Sequence, residues 1–225
     1  MAGARYVFGP VPSRRLGRSL GIDVVPLKVC NWNCVYCQLG RTSPLVTERA
    51  EHVPTGDVLA EMQEILPRAC DALVDWVTFS GSGEPTLHRD LGLLIREAKE
   101  LTPLPVAVLT NGSLLHRPEV RDELSAAHAI LPSVSAGTEQ TYLRIHRPAH
   151  GLPYDQFVAG LMAMRACYTG RLWPEVMLID GVNDRGEELE AIATLLERLQ
   201  PDAIDVLSPT RPPAEPWVRP AGGSA

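Results

Sequence analysis

The sequence predicts an α/β fold, a partial (β/α)6 barrel of TIM-like type with parallel strands. Short apolar runs alternate with longer amphipathic runs along nearly the whole chain, which is the rhythm of β-α units around a parallel sheet. The six repeats are roughly 25–40 residues long, which suits a barrel or partial barrel better than an open two-layer fold. In a barrel, loops at the C-terminal ends of strands carry function. The chemically informative residues of this chain all fall at such positions.

Strands are expected at residues 21–27, 75–80, 105–110, 129–135, 172–179 and 203–207. A connection of about 25 residues follows the first strand, and loops of that length usually serve function. Thr55 is then placed to cap a helix over 56–69, whose apolar residues Val58, Leu59, Met62, Ile65 and Leu66 recur at helical spacing. Residues 91–101 form the next helix. The one at 118–127 opens with Pro118 in its first turn, where a missing N–H is tolerated. Helices at 154–167 and 187–199 complete the set. Residues 1–220 read as one core domain, with Pro212, Pro213, Pro216 and Pro220 in an irregular tail. Residues 221–225 are expected to be disordered. A barrel of so few strands is incomplete, which leaves a side for a bulky substrate or second protein to cover.

The 225 residues suffice for a substantial core, and 45% hydrophobic with 21% charged content is ordinary for a soluble globular protein. No apolar run is long enough to span a bilayer, and the N-terminus lacks a signal-peptide pattern, so a cytoplasmic location is expected. The net charge of −6 disfavours a protein whose main task is gripping duplex nucleic acid. Local basic patches can still contact RNA.

Five cysteines are present, and three of them cluster in Cys30-Asn31-Trp32-Asn33-Cys34-Val35-Tyr36-Cys37. The odd count and the clustering argue for metal ligation rather than a disulfide framework. Thiolates suit zinc and iron–sulfur clusters, but a closed zinc site wants four protein ligands. A [4Fe–4S] cluster would take Cys30, Cys34 and Cys37 on three corners and leave one iron for a small molecule with N and O donors. Tyr36 sets an aromatic ring beside this loop or, equally, in the core. Cys70 and Cys167 read as buried apolar residues.

The second strand ends in Thr78-Phe79-Ser80-Gly81-Ser82-Gly83-Glu84-Pro85-Thr86-Leu87. Gly81 and Gly83 permit close approach of a ligand to the main chain, and Pro85 suits a helix entry. Thr110-Asn111-Gly112-Ser113 after the third strand is a similar turn.

Taken together, these motifs resemble the radical S-adenosylmethionine superfamily, over nearly the whole chain. The resemblance implies that Cys30, Cys34 and Cys37 bind a [4Fe–4S] cluster, with Tyr36 as the aromatic of the Cys-x3-Cys-x-aromatic-Cys loop. It implies that Ser82-Gly83-Glu84-Pro85 stands for the Gly-Gly-Glu-Pro motif that binds the methionine amino group of S-adenosylmethionine through backbone carbonyls. Asn111 joins these contacts, Ser133 or Ser135 helps hold the carboxylate, and Val176 and Leu178 in the 176–184 segment pack on adenine. The reduced cluster would cleave the sulfonium to methionine and a 5′-deoxyadenosyl radical, with flavodoxin or ferredoxin as electron donor. The 8–21 and 211–218 segments are similar to a little-characterised branch near the enzymes that build the tricyclic wyosine base of tRNA. That branch reads Ser-Leu-Asp-Ala where this chain has Ser133-Val134-Ser135-Ala136. An RNA substrate is one expectation from this likeness.

Other readings stand beside it. Arg14, Arg15, Arg18 and Arg41 flank the cysteine loop and form an anion clamp or solvated loop charges. His146-Arg147 faces the same pocket or serves the structure. A structural zinc or cluster protein would close its site with His52 or Cys70.

Overall fold

The computed structural model describes residues 6–69 and 73–222. It contains a six-stranded sheet in sequential order: β1 (Val7–Ser13), β2 (Gly17–Ile22), β3 (Trp76–Phe79), β4 (Val106–Thr110), β5 (Ala129–Pro132) and β6 (Arg171–Leu172). Neighbours pair in parallel from β2 onward, as Leu20↔Val77, Val77↔Val106, Val108↔Ile130 and Ile130↔Leu172. The β7 (Glu175–Met177) and β8 (Asp205–Leu207) strands form a parallel pair, attached to the end of β5 by the Ser133↔Glu175 bridge. The expected succession of parallel strands and helices is present. No helix among the described residues is long and apolar enough to cross a membrane.

The expected strand over 172–179 is divided into β6 and β7 because Pro174, lacking an N–H, cannot continue the ladder. The first strand lies earlier than expected, at Gly17–Ile22, and pairs antiparallel with β1. Pro10 and Pro12 hid β1 in the sequence, since proline is tolerated only on an edge strand such as this.

The helices are α1 (Thr55–Ile65), α2 (Leu91–Leu101), α3 (Pro118–Leu124), α4 (Glu139–His146), α5 (Tyr154–Cys167) and α6 (Gly186–Leu199). Pro54, not Thr55, is the N-cap of α1, and the Thr55 hydroxyl donates to Asp90 Oδ2 at 2.7 Å. Pro67 ends α1 early in a 3-10 turn, because it has no N–H for the next helical bond. The short helix α4 was missed. Its core-facing apolar residues are few, essentially Tyr142 and Ile145, while Leu143 is exposed.

Side-chain alternation separates two apolar faces of the sheet. Val106, Val108 and Ile130 join the large core beneath the helices, whereas Ala107, Leu109, Ala129 and Leu131 face the other way. Leu16, from the β1–β2 turn, packs against this inner set together with Trp76 and Trp173. The same turn reaches the β7–β8 pair. Arg15 Nη1 lies 2.5 Å from Glu175 Oε1, and Arg15 Nε lies 3.8 Å from Asp205 Oδ2. Arg14 Nη2 donates to Thr210 Oγ1 at 2.8 Å. The N-terminal hairpin therefore spans the side of the barrel left open by its low strand number. Ala221 and Gly222 follow the Ile179↔Pro220 bridge in a turn, and 223–225 lie outside the described residues.

Candidate radical-chemistry site

The cysteine loop is laced to the glycine-rich turn by main-chain bonds. Lys28 N donates to Ser82 O at 2.7 Å, and Glu84 N donates to Val29 O at 2.9 Å. A Cβ on Gly83 would lie 2.0 Å from Val29 O, so only glycine permits this approach. Further along, Asn33 N donates to His146 O and Val35 N to Ile145 O, which docks the loop on the C-terminus of α4. Trp32 is fully buried there, with its ring centroid 4.0 Å from that of His146.

Cys30, Cys34 and Cys37 border one cavity of about 480 Å³, shared with Tyr36, Ser82 and Gly83 on one side and Arg15, Leu16, Glu175 and Met177 on the other. Each sulfur faces one side-chain nitrogen. Asn111 Nδ2 is 3.7 Å from Cys30 Sγ, His146 Nδ1 is 3.5 Å from Cys34 Sγ, and Lys28 Nζ is 3.3 Å from Cys37 Sγ. Burial pushes the Cys30 thiol up to about 12, with the Glu84 carboxylate adding to it. Burial also pushes Cys34 well above the ordinary thiol range, reinforced by Cys30 and Cys37. Metal binding must therefore displace protons from these sulfurs. His146 is held neutral by burial, its pKa pushed down to about 3.

Glu84 does not face the cavity. Its carboxylate accepts from Thr86 N, Thr86 Oγ1, Thr110 Oγ1 and Asn111 N at 3.1, 2.7, 2.6 and 2.6 Å. It thereby ties the turn after β3 to the turn after β4, and burial still pushes its carboxyl upward. Pro85 is buried at the start of the following 3-10 turn. Asp23 holds the other side of the motif by accepting from Ser82 N at 3.0 Å and from the Ser82 hydroxyl.

The remaining expected residues divide by position. The Tyr36 phenol reaches Cys34 and the Ser135 and Ser133 hydroxyls, and burial pushes its pKa well up. Ser135 is buried, its Oγ accepting from Met177 N at 2.9 Å. Asn111 is committed to the cysteine loop, donating to Asn31 Oδ1 at 2.7 Å. Val176 and Leu178 require correction. Strand alternation turns their side chains onto α6, beside Ile192 and Leu196, and it is Glu175 and Met177 that face the cavity.

Among the arginines, Arg14 and Arg15 line the cavity, Arg18 is exposed on β2, and Arg41 and Arg147 both turn to Glu215. His52 lies against Glu48 O at 3.3 Å. Cys70 falls outside the described residues. Cys167 is exposed rather than buried, because it sits off the α5 face formed by Phe157, Leu161 and Met164. Among the described residues, no three His, Cys, Asp or Glu side chains converge closely enough to hold a single ion. Sequence reasoning missed Lys28, Asp23 and Met177. Lys28 alone carried a signal, being two residues before the first cysteine.

The profile of the Radical SAM superfamily matches residues 24–196. A Brachyspira hyodysenteriae protein named GTPase Obg is 42% identical over 207 residues, covering 92% of this chain and 30% of that protein. A UPF0026 protein of Methanocaldococcus jannaschii is 35% identical over 213 residues, covering 95% of this chain and 66% of that protein. The chain thus spans less than two thirds of the length of either relative. Two solved structures share the fold. TYW1 with a lysine-pyruvate adduct bound has a TM-score of 0.61 at 22% identity, over 85% of this chain and 64% of that one. Streptococcus suis SuiB bound to S-adenosylmethionine has a TM-score of 0.65 at 16% identity, over 89% of this chain and 43% of that one.

Proposed function

Because the chain belongs to the radical S-adenosylmethionine superfamily, an iron–sulfur enzyme family that uses S-adenosylmethionine, we propose that it takes a hydrogen atom from a substrate seated between its cysteine loop and its β1–β2 hairpin. The single observation carrying this reading is that three thiols border the same cavity as the glycine-rich turn. The donor set fits a [4Fe–4S] cluster, since Cys30, Cys34 and Cys37 supply three soft ligands around one cavity. When bound, the cluster and S-adenosylmethionine supply reductive carbon–sulfur cleavage and a 5′-deoxyadenosyl radical.

The chain's own residues bind, orient and exclude water. In this reading backbone oxygens of the Ser82–Pro85 turn receive the methionine ammonium. The Ser82 carbonyl already accepts from Lys28 N and has a second lone pair to offer. Tyr36 lines the cavity, and behind it the Ser133 and Ser135 hydroxyls offer polar partners for the ligand's carboxylate, while Asn111 serves by holding the cysteine loop. Any adenine contact at 176–178 falls to Met177 and the strand backbone, given where Val176 and Leu178 point. The hairpin, pinned by Arg15 to Glu175 and Asp205, shields the radical from solvent on the open side of the barrel. Reduced flavodoxin or ferredoxin delivers the electron.

The test is anaerobic incubation of reconstituted protein with dithionite and S-adenosylmethionine. Formation of 5′-deoxyadenosine and methionine is expected, and the Cys30→Ala, Cys34→Ala and Cys37→Ala variants should form neither.

A further inference from the structure

We propose that Lys28, His146 and Asn111 are positioning residues that raise the reduction potential of the cluster held by Cys37, Cys34 and Cys30. The proposal rests on the cluster reading above and assigns these side chains a separate task. Each sulfur meets a nitrogen from a different part of the chain: the start of the cysteine loop, the last turn of α4 and the turn after β4.

A cluster-bound cysteine sulfur carries no proton, so it can only accept a hydrogen bond. The nitrogens can all donate. Lys28 Nζ is fixed by a 2.7 Å bond to Gly40 O and has donors left for Cys37. The Asn111 amide is oriented without ambiguity, because its Oδ1 accepts from Ser113 N at 2.9 Å and turns Nδ2 toward Cys30. For His146 the tautomer follows from accounting. Nε2 is buried with no partner, so the proton belongs on Nδ1, where it meets the Cys34 sulfur. Lys28 also sits at φ 67, a backbone region costly to a lysine, and its ammonium is nonetheless delivered to the cluster loop.

One-electron reduction adds negative charge that spreads onto the sulfurs. Donors aimed at those sulfurs stabilise the reduced form more than the oxidised one, which raises the potential. The three should not contribute equally. Lys28 brings a full charge and ranks first. His146 brings a neutral N–H in a buried setting. Asn111 ranks last, because it shares its amide with Asn31 and Cys30 also receives the Trp32 backbone N–H.

The experiment is a potentiometric titration of anaerobically reconstituted wild-type protein, Lys28→Met, His146→Phe and Asn111→Ala, read by the electron paramagnetic resonance of the reduced cluster. At a fixed solution potential, Lys28→Met should lower the reduced-to-oxidised ratio about tenfold, equivalent to about 59 mV for one electron. His146→Phe should lower it less and Asn111→Ala least, while Lys28→Arg restores most of the loss. If Lys28→Met does not hold a cluster, Lys28→Gln is titrated instead, and a potential between wild type and a full loss is expected. Iron-replete variants with the wild-type potential would overturn the proposal and leave the cluster reading intact. A wild-type protein that takes up no cluster would overturn the cluster reading itself.

Discussion

Glu215 of the C-terminal segment takes both arms of the Arg41 guanidinium in the cysteine loop, Nε to Oε1 at 3.0 Å and Nη2 to Oε2 at 2.9 Å. Arg147, which caps α4, contacts the same carboxylate, and Glu215 N donates to Val35 O at 3.0 Å. One buried acid thus fastens the tail, the cysteine loop and the end of α4 together. Val218 adds an apolar contact with the Val35, Ile145 and Ile179 cluster.

The hydrogen bonds from Arg41, and then from Arg147, hold the Glu215 carboxyl below its usual range. A depressed carboxyl contributes stability above its unfolded pKa and loses it as pH falls through its folded pKa. Protection of the amides in residues 33–42, taken relative to the intrinsic exchange rate at each pH, should therefore be high at neutral pH and fall in acid below the ordinary carboxylate range. Glu215→Gln should exchange fast at neutral pH already. Equal protection in the two proteins at pH 7 would contradict the fastening role.

Glu175 shifts the other way. Burial raises its carboxyl to about 7, because desolvation outweighs the attraction of Arg15. The folded state then binds a proton more tightly than the unfolded state, so this group's contribution is complete below about pH 4.5 and declines as pH rises to about 7. Urea unfolding at pH 5 and pH 8 should show a loss of up to about 3 kcal/mol from this source. Glu175→Gln should flatten that slope, and an unchanged slope would contradict the assignment.

Glu84 is predicted to be a strut. Glu84→Gln leaves the carboxyl-sized volume in place but can no longer satisfy Thr86, Thr110 and Asn111 together. A loss of about 2–4 kcal/mol is expected, since buried donors lose their acceptor. Hydrogen exchange should quicken in both the 82–86 and 110–113 turns. A change confined to one turn would show that the carboxylate does not couple them.

Gly83→Ala should fail more severely. Its Cβ would meet a main-chain oxygen of the cysteine loop, not a side chain that could rotate away. The variant should reconstitute with little iron while its helical circular dichroism stays near that of the wild type. Full iron uptake would show that the two loops can separate without cost.

Much of this site was legible in the chain, for identifiable reasons. The Cys30, Cys34 and Cys37 spacing is local, and so is the Ser82–Pro85 turn, so neither required knowledge of the fold. The α2 helix was legible to the residue because its apolar residues Leu91, Leu94, Ile95 and Ala98 recur on one face. The sulfur partners were hidden because their contacts are long-range; His146 is separated from Cys34 by 112 positions. Val176 and Leu178 were misjudged because an apolar run does not reveal which of its alternating residues face inward until Pro174 fixes where the strand begins. The role of the 8–21 segment was equally hidden. It is a hairpin whose turn lies against the inner face of the sheet, and local propensity says nothing of that.

The most direct measurement is iron stoichiometry together with the paramagnetic resonance of anaerobically reconstituted, dithionite-reduced protein, with and without S-adenosylmethionine. About four irons per chain and a signal that changes on adding the nucleoside are expected. One zinc per chain, or a signal indifferent to the nucleoside, would contradict the account.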